Sequence, residues 1–330
     1  MRKPSTGRGK PNRRVALGLV AAGVAGLGAI YRFWPTGGRE EVPVLREEKL
    51  TPKPGDPVLR EEKLTPKPGD PKPGEMVEFP LPGGLKMAFC WIPAGTATLG
   101  SPVTEKDRSN NEQEHSSTTK GFWLGKNPVT QAEWQALMGS NPSHFKAGGG
   151  GADKVKGLDT SRFPVESVSW DMICGSGGLL EKLNAVGGLE KVFGKVGKFG
   201  LPHEDAWEYA CRGGLGNKRP FYWGNELNGT QANMDGNNPW GTTTKGPYLG
   251  RPTPVGSYAA KYPHPWGLCD MHGNVWEWCE NLYEQTTSRV LRGGSWSIIG
   301  LYCRAAYRSR IEPGSLYYID GFRLCLPLDL

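Results

Sequence analysis

Residues 270–279 read Asp-Met-His-Gly-Asn-Val-Trp-Glu-Trp-Cys: two carboxylates, a glycine, an asparagine and two tryptophans within ten positions. Trp276 and Trp278 alternate with Glu277, the period-2 pattern of a strand with one dry face and one wet face. The residues before it, Asp270 to Gly273, form a tight-loop pattern in which Gly273 is free to take a positive φ. A loop that runs into a strand in this way lets Asp270 and Glu277 converge on one hard cation. Carbonyls of Gly273 and Val275 would fill its shell, since Ca2+ takes six to eight oxygens. The same residues also suit a plain turn entering an aromatic core strand, with both carboxylates solvated.

Downstream lie Arg289-Val290-Leu291-Arg292-Gly293-Gly294-Ser295-Trp296, then Cys303-Arg304-Ala305-Ala306-Tyr307-Arg308 and Gly321-Phe322-Arg323-Leu324. Upstream come Trp91-Ile92-Pro93-Ala94-Gly95-Thr96, Gly121-Phe122-Trp123-Leu124-Gly125-Lys126, Pro164-Val165-Glu166-Ser167-Val168-Ser169-Trp170 and Leu201-Pro202-His203-Glu204-Asp205-Ala206-Trp207-Glu208-Tyr209-Ala210. In this order the runs resemble the formylglycine-generating enzyme (sulfatase-modifying factor) family, a branch of the C-type-lectin fold. The resemblance extends from about Met76 to Leu324. It implies an α+β fold of the formylglycine-generating-enzyme type with much irregular chain. Composition agrees, because 12 Trp, 48 Gly and 28 Pro in 330 residues suit a loop-rich domain with an aromatic core better than a helical bundle.

Enzymes of that family are copper-dependent oxidases that convert a sulfatase cysteine to formylglycine, using two cysteines shortly after the Arg-Gly-Gly-Ser-aromatic motif. Here the first position is Ile298, and Cys303 falls at the second when counted from Trp296. Cu(I) favours paired thiolates, so copper is not expected; if the chain is an enzyme, Cys303 is its candidate catalytic residue. The resemblance also implies calcium at Asp270, Gly273, Val275 and Glu277. A second, weaker ion site would use Asn233, Met234 and Tyr248, but the carboxylate expected near Lys245-Gly246 is missing. With chain ends side by side, as in this fold, Cys90 and Cys325 form a candidate disulfide. Cys279 with Cys303 and Cys174 with Cys211 are weaker pairs, leaving Cys269 odd.

Between the framework motifs lie Ser297–Tyr302 (Ser-Ile-Ile-Gly-Leu-Tyr) and Gly314–Asp320 (Gly-Ser-Leu-Tyr-Tyr-Ile-Asp). Tyr, Ser and Gly are residues of adaptable binding surfaces. The pattern resembles the variable proteins of diversity-generating retroelements, which use this fold and end just after Gly-Phe-Arg. In those, Asn codons randomised at their adenines cannot yield Lys, Glu, Gln, Met or Trp, and none of these five occurs in either segment. Ordinary loops covering the core would read much the same. The candidate ligand-binding residues are Ser297, Ile298, Ile299, Leu301, Tyr302, Tyr307, Ser309, Ile311, Ser315, Leu316, Tyr317, Tyr318, Ile319 and Asp320. Among them, Ile298, Leu301, Tyr302, Tyr307, Tyr317 and Tyr318 are expected on one exposed patch, with Arg292, Arg304, Arg308 and Arg323 hydrogen-bonded inside the domain.

The chain opens on a basic tail, residues 1–14, with six Lys or Arg and no acid. Residues 15–34 follow as an apolar stretch closed by Tyr31, Phe33 and Trp34, read as an uncleaved signal anchor with its N-terminus inside. Cleaved export is the other reading. Residues 35–75 are a Pro-rich stalk in which PVLREEKLTPKPGD, Pro43 to Asp56, repeats residue for residue as Pro57 to Asp70. Such a segment buries no core and spans on the order of 100 Å if extended. Residues 76–330 are the globular domain. Its local signals are a first strand over Phe89–Ala94, a helix over Thr130–Met138 with Thr130 as cap, and a helix over Ser169–Asn184 weakened by glycines. An inserted loop over Gly187–Gly200, a helix over His203–Cys211 and few elements from Gly213 to Pro265 complete the pattern.

The net charge of +7 lies largely at the N-terminus, and without a basic stripe through the domain no nucleic-acid partner is expected. The five histidines show neither His-x-x-x-His nor Glu-x-x-His spacing, which argues against a helix-borne iron or zinc site. Taken together, these residues predict a non-catalytic, calcium-stabilised binding protein, membrane-anchored through residues 15–34 and displayed outside the cytoplasm. Its partner would be a protein or other surface ligand. The alternative is a formylglycine-generating-type oxidase.

Overall fold

The computed structural model describes residues 71–194, 196–214 and 216–327. The basic tail, the apolar segment 15–34 and stalk residues 35–70 lie outside the described residues. Among the described residues no helix is long and apolar enough to cross a membrane. The last few residues assigned to the stalk join the domain edge: Gly74 N donates to Trp91 O and Trp91 N to Glu75 O.

One antiparallel sheet has the order β1 (Met76–Pro80), β2 (Lys86–Ile92), β5 (Phe122–Gly125), β10 (Cys325–Pro327). β3 (Gly95–Leu99) and β4 (His115–Thr119) form a separate ribbon. The third sheet has the order β8 (Ser309–Ile311), β7 (Arg289–Arg292), β6 (Trp276–Leu282), β9 (Asp320–Gly321), with β6 and β9 parallel. Cys90 and Cys325 both lie opposite Leu124, on either side of β5. Two strand spacings, roughly 9–10 Å, exceed disulfide reach, so the expected bridge is corrected; all seven cysteines are free thiols.

α1 (Gln131–Met138) opens on the Thr130 cap foreseen, completed as a capping box: the Thr130 hydroxyl accepts from Glu133 N while Glu133 takes the Thr130 amide. The helix expected over Ser169–Asn184 is two short helices, α2 (Trp170–Cys174) and α3 (Leu179–Asn184), parted at the glycines 175, 177 and 178. The stretch read as an inserted loop contains α4 (Leu189–Phe193). There Phe193 sits edge-on to Phe89 and Trp123, so docking outweighs the poor intrinsic propensity. α5 (Glu204–Arg212) buries Trp207 and Ala210. Among the described residues no helix or strand lies between α5 and β6. That irregular stretch packs around Phe221, Leu227, Met234 and Trp240.

β6 departs from its period-2 reading. Glu277 is 1% exposed, as dry as Trp276 and Trp278, because β6 is an interior strand covered on both faces. Alternation marks which side chains oppose each other, while the tertiary fold decides whether either face meets water.

Candidate functional site

Four arginines set the frame from which the candidate surface hangs. Arg323 places Nε and Nη2 on the two oxygens of Glu277, each at 2.6 Å, and Trp207 Nε1 donates to the same carboxylate at 2.6 Å. Arg292 binds Glu208 and the carbonyls of Ala306 and Tyr307. Glu208 also accepts from Arg212 at 2.7 Å and from the Gly100 amide at 2.7 Å. Arg304 bridges Glu105 and Glu112, and Arg308 takes Glu204 with both Nε and Nη2. Burial pushes the Glu208 carboxyl up, but the Arg292 and Arg212 guanidiniums outweigh it and hold it below the usual carboxylate range. Bidentate, water-free pairs fix orientation as well as charge. The arginines therefore sit inside the domain as foreseen; their acidic partners in residues 105–112 and in α5 carry no local sequence signal.

The segments between these arginines reach the surface. Ser297, Ile298, Ile299, Leu301, Tyr302, Tyr307, Ile311, Ser315, Tyr318 and Ile319 are half-buried, and Leu316 and Tyr317 are 56% and 48% exposed. Ser309 and Asp320 are buried, which removes them from any contact surface; both sit in strands of the β6 sheet, where the sheet covers them. The Tyr302 and Tyr307 rings pack 4.7 Å apart. Ile298 leans on two aromatic clusters, one shared with Tyr302 and Tyr307 and the other with Leu301. Ile319 similarly joins the Tyr302 side to Tyr318. Tyr318 stacks on His144 at 4.9 Å. A glycine run at 148–151 folds against the His144 ring, so close that a Cβ at Gly150 would sit 2.6 Å from it.

The loop at 270–274 takes the turn expected at Gly273 and adds two positive-φ residues that the sequence did not signal. Asp270, Gly273 and Asn274 all take positive φ, and a Cβ at Gly273 would meet the Asn233 carbonyl oxygen at 2.3 Å. Asp270 is half-buried; one oxygen accepts from Gly256 N at 2.7 Å and the other makes no hydrogen bond among the described residues. Burial pushes its carboxyl up to about 6 against the opposing pulls of the Gly256 amide and Arg323, and Glu277 adds to the rise. A cation shared by Asp270 and Glu277 would have to compete with the Arg323 guanidinium, which already holds both Glu277 oxygens. Asp270 therefore keeps one carboxylate oxygen that a cation could take, whereas Glu277 offers one only in competition with Arg323. Of the second set, Asn233 Nδ2 donates to Arg251 O and Asn274 Oδ1, Met234 is fully buried, and Tyr248 stacks on Trp296. Among the described residues no three His, Cys, Asp or Glu side chains are grouped to hold a metal.

Cys303 is buried beneath Gly294, with its thiol pushed up to about 12 by loss of solvent. Its carbonyl lies 2.7 Å from His272 Nδ1, which therefore carries the proton, while Nε2 accepts from Tyr222 N. Burial drives the His272 pKa down to about 3, so the imidazole stays neutral and gives Cys303 no help toward a thiolate.

A family model for the sulfatase-modifying factor enzyme 1-like domain matches residues 83–327. The chain is 37% identical over 153 residues to the formylglycine-generating enzyme of Streptomyces coelicolor, covering 39% of this chain and 47% of that protein. It is 28% identical over 231 residues to the inactive C-alpha-formylglycine-generating enzyme 2 of Bos taurus, covering 62% and 75%. With the serine/threonine-protein kinase pkn1 of Chlamydia caviae it shares 36% identity over 141 residues, 37% of this chain and 20% of that protein. The matched stretches thus span less than half of the Streptomyces and Chlamydia proteins. Among solved structures, Treponema denticola variable protein 1 superposes with a TM-score of 0.58 at 25% identity, covering 76% of this chain and 99% of that one. PvdO from Pseudomonas aeruginosa gives 0.57 at 23%, covering 78% and 100%. The chain belongs to the sulfatase-modifying factor enzyme 1-like family, and its domain has the fold shared with a variable protein.

Proposed function

We propose that the domain is a non-catalytic binding module that presents Ser297–Tyr302, Tyr307 and residues 314–319 to a protein or other surface ligand, displayed outside the cytoplasm on its N-terminal anchor. The observation that carries this reading is the contrast along one stretch of chain. Arg292, Arg304 and Arg323 are all but fully buried and ion-paired, while Ser297, Ile298, Ile299, Leu301, Tyr302, Tyr307 and residues 314–319 between them lie half-buried or exposed. A rigid frame with adaptable aromatic and small residues between its fixed points is how binding surfaces are built. Likeness to a Treponema variable protein supports the same reading.

The oxidase alternative would need a thiolate at Cys303 and a second soft ligand. Ile298 stands where the other cysteine would be, and the Cys303 thiol is dry and high in pKa. Oxygen uptake by the copper-loaded protein with a cysteine-containing peptide tests this directly. No uptake above buffer is expected, and copper-dependent turnover would overturn the binding reading.

Calcium belongs to the proposal. Asp270, with carbonyls of Gly273 and Val275 and at most a shared oxygen of Glu277, would hold the ion, which bound only to the native state raises stability by mass action. The expected outcome is a higher melting temperature in millimolar calcium than in chelator, abolished in Asp270→Asn. Equal melting temperatures would remove calcium from the account.

A further inference from the structure

We propose that the cleft between residues 102–106 and 216–220 takes an acidic peptide segment of the protein ligand, an inference that rests on the binding reading above. The cleft has a volume of about 670 Å³ and is walled by Pro102, Lys106, Lys218, Arg219, Asn225 and the edge of Trp240. Its cations outnumber its available acids. Glu105, the one carboxylate in the wall, is spent on Arg304. The Arg219 guanidinium makes no ion pair or hydrogen bond among the described residues. Lys106 has its chain neighbour Asp107, 4.0 Å away, a half-exposed carboxylate that also accepts from Trp240 Nε1 at 3.2 Å, and Lys218 has the partly exposed Glu114. Exposed pairs of this kind exchange readily for a better anion.

Trp240 links the cleft to the candidate face through the interior. Trp240 packs in one cluster with Leu301 and Ile298, and a Cβ on Gly300 would lie 2.9 Å from the Trp240 backbone nitrogen. Arg304, which holds Glu105 in the wall, also donates through Nε to Leu301 O at 3.0 Å. A ligand seated on Leu301 therefore meets positive charge on its next few residues, and charge complementarity at that edge selects acidic side chains. The apolar neighbourhood favours a peptide, which brings side chains for both regions, over a saccharide.

The test uses the full chain with three labelled probes: hexaglutamate, hexaglutamine, and hexaglutamate extended by Phe-Leu-Tyr. Hexaglutamate is expected to bind with an affinity that falls as salt rises, and hexaglutamine not to bind. The pair Lys106→Glu with Arg219→Glu, both exposed and so tolerated by the fold, should weaken hexaglutamate roughly tenfold or more. The pair Lys154→Glu with Lys156→Glu, on another loop, should change it less than about twofold. The apolar extension should tighten binding, and Leu301→Ser should cancel that gain. Equal effects of the two charge-reversal pairs would overturn the cleft as the site. Tighter binding of an oligogalacturonate than of hexaglutamate would overturn the peptide in favour of a saccharide. If hexaglutamate binds at the cleft but the extension adds nothing, the cleft is an anion site unconnected to the face, and the proposal fails although the anion binding stands.

Discussion

Both oxygens of Glu277 are taken by Arg323 and Trp207, in a place that water does not reach. Glu277→Gln keeps the shape but leaves the Arg323 guanidinium without its counter-charge, and breaking one partner of a buried pair costs roughly 3–5 kcal/mol. Urea denaturation should show that loss whether or not calcium is present; a loss below about 1 kcal/mol would mean the pair is not structural. Asp320 offers a contrasting case. It is buried with Oδ1 unpartnered, and burial pushes its carboxyl up to about 8. The unfolded value is about 4, so between about pH 4 and pH 8 the native chain holds a proton that the unfolded chain has released. Stability therefore falls as pH rises through that window. Asp320→Asn should match the parent near pH 4 and exceed it at pH 8, read as melting temperature. A variant less stable than the parent at pH 8 would refute the assignment.

At the scale of elements, local chemistry and packing contribute differently. The Thr130 capping box is local: both halves lie within four residues, and they start α1 in the extended conformation that an N-cap requires. Thr130→Ala should cost about 1 kcal/mol, measured by denaturant titration, with the rest of the domain intact. An unchanged midpoint would show that Glu133 caps the helix unaided. α4 is the opposite case. Glycine-rich flanks hid it, and it forms because Phe193 finds Phe79, Phe89 and Phe199 around it. β6 lies between the two, with a period any reader sees but a burial that only its neighbours on both sides impose.

The whole molecule separates a rigid interior from an adaptable rim. Trp276 is 2% exposed at the centre of the main core, and Trp276→Ala should cost roughly 3–5 kcal/mol. Leu316→Ser with Tyr317→Ser, on the exposed rim, should move stability by no more than about 0.5 kcal/mol while removing ligand capture. Thermal melts of the two variants, read side by side, decide whether the rim is surface or core. What the sequence determined by itself was whatever is short-ranged or long and ordered: the family and its fold, the Thr130 cap, the Gly273 turn, the internal anchoring of Arg292, Arg304, Arg308 and Arg323. Tertiary structure alone decided their partners. Arg304 pairs with Glu105 and Glu112 from 199 and 192 positions away, and Arg323 with Glu277 from 46. It likewise interposed β5 between Cys90 and Cys325, buried Ser309 and Asp320 within the β6 sheet, and brought Lys106 and Arg219 into one cleft with Trp240. Such pairings leave no periodic trace along the chain, because they arise from which surfaces exclude water together once the strands are stacked.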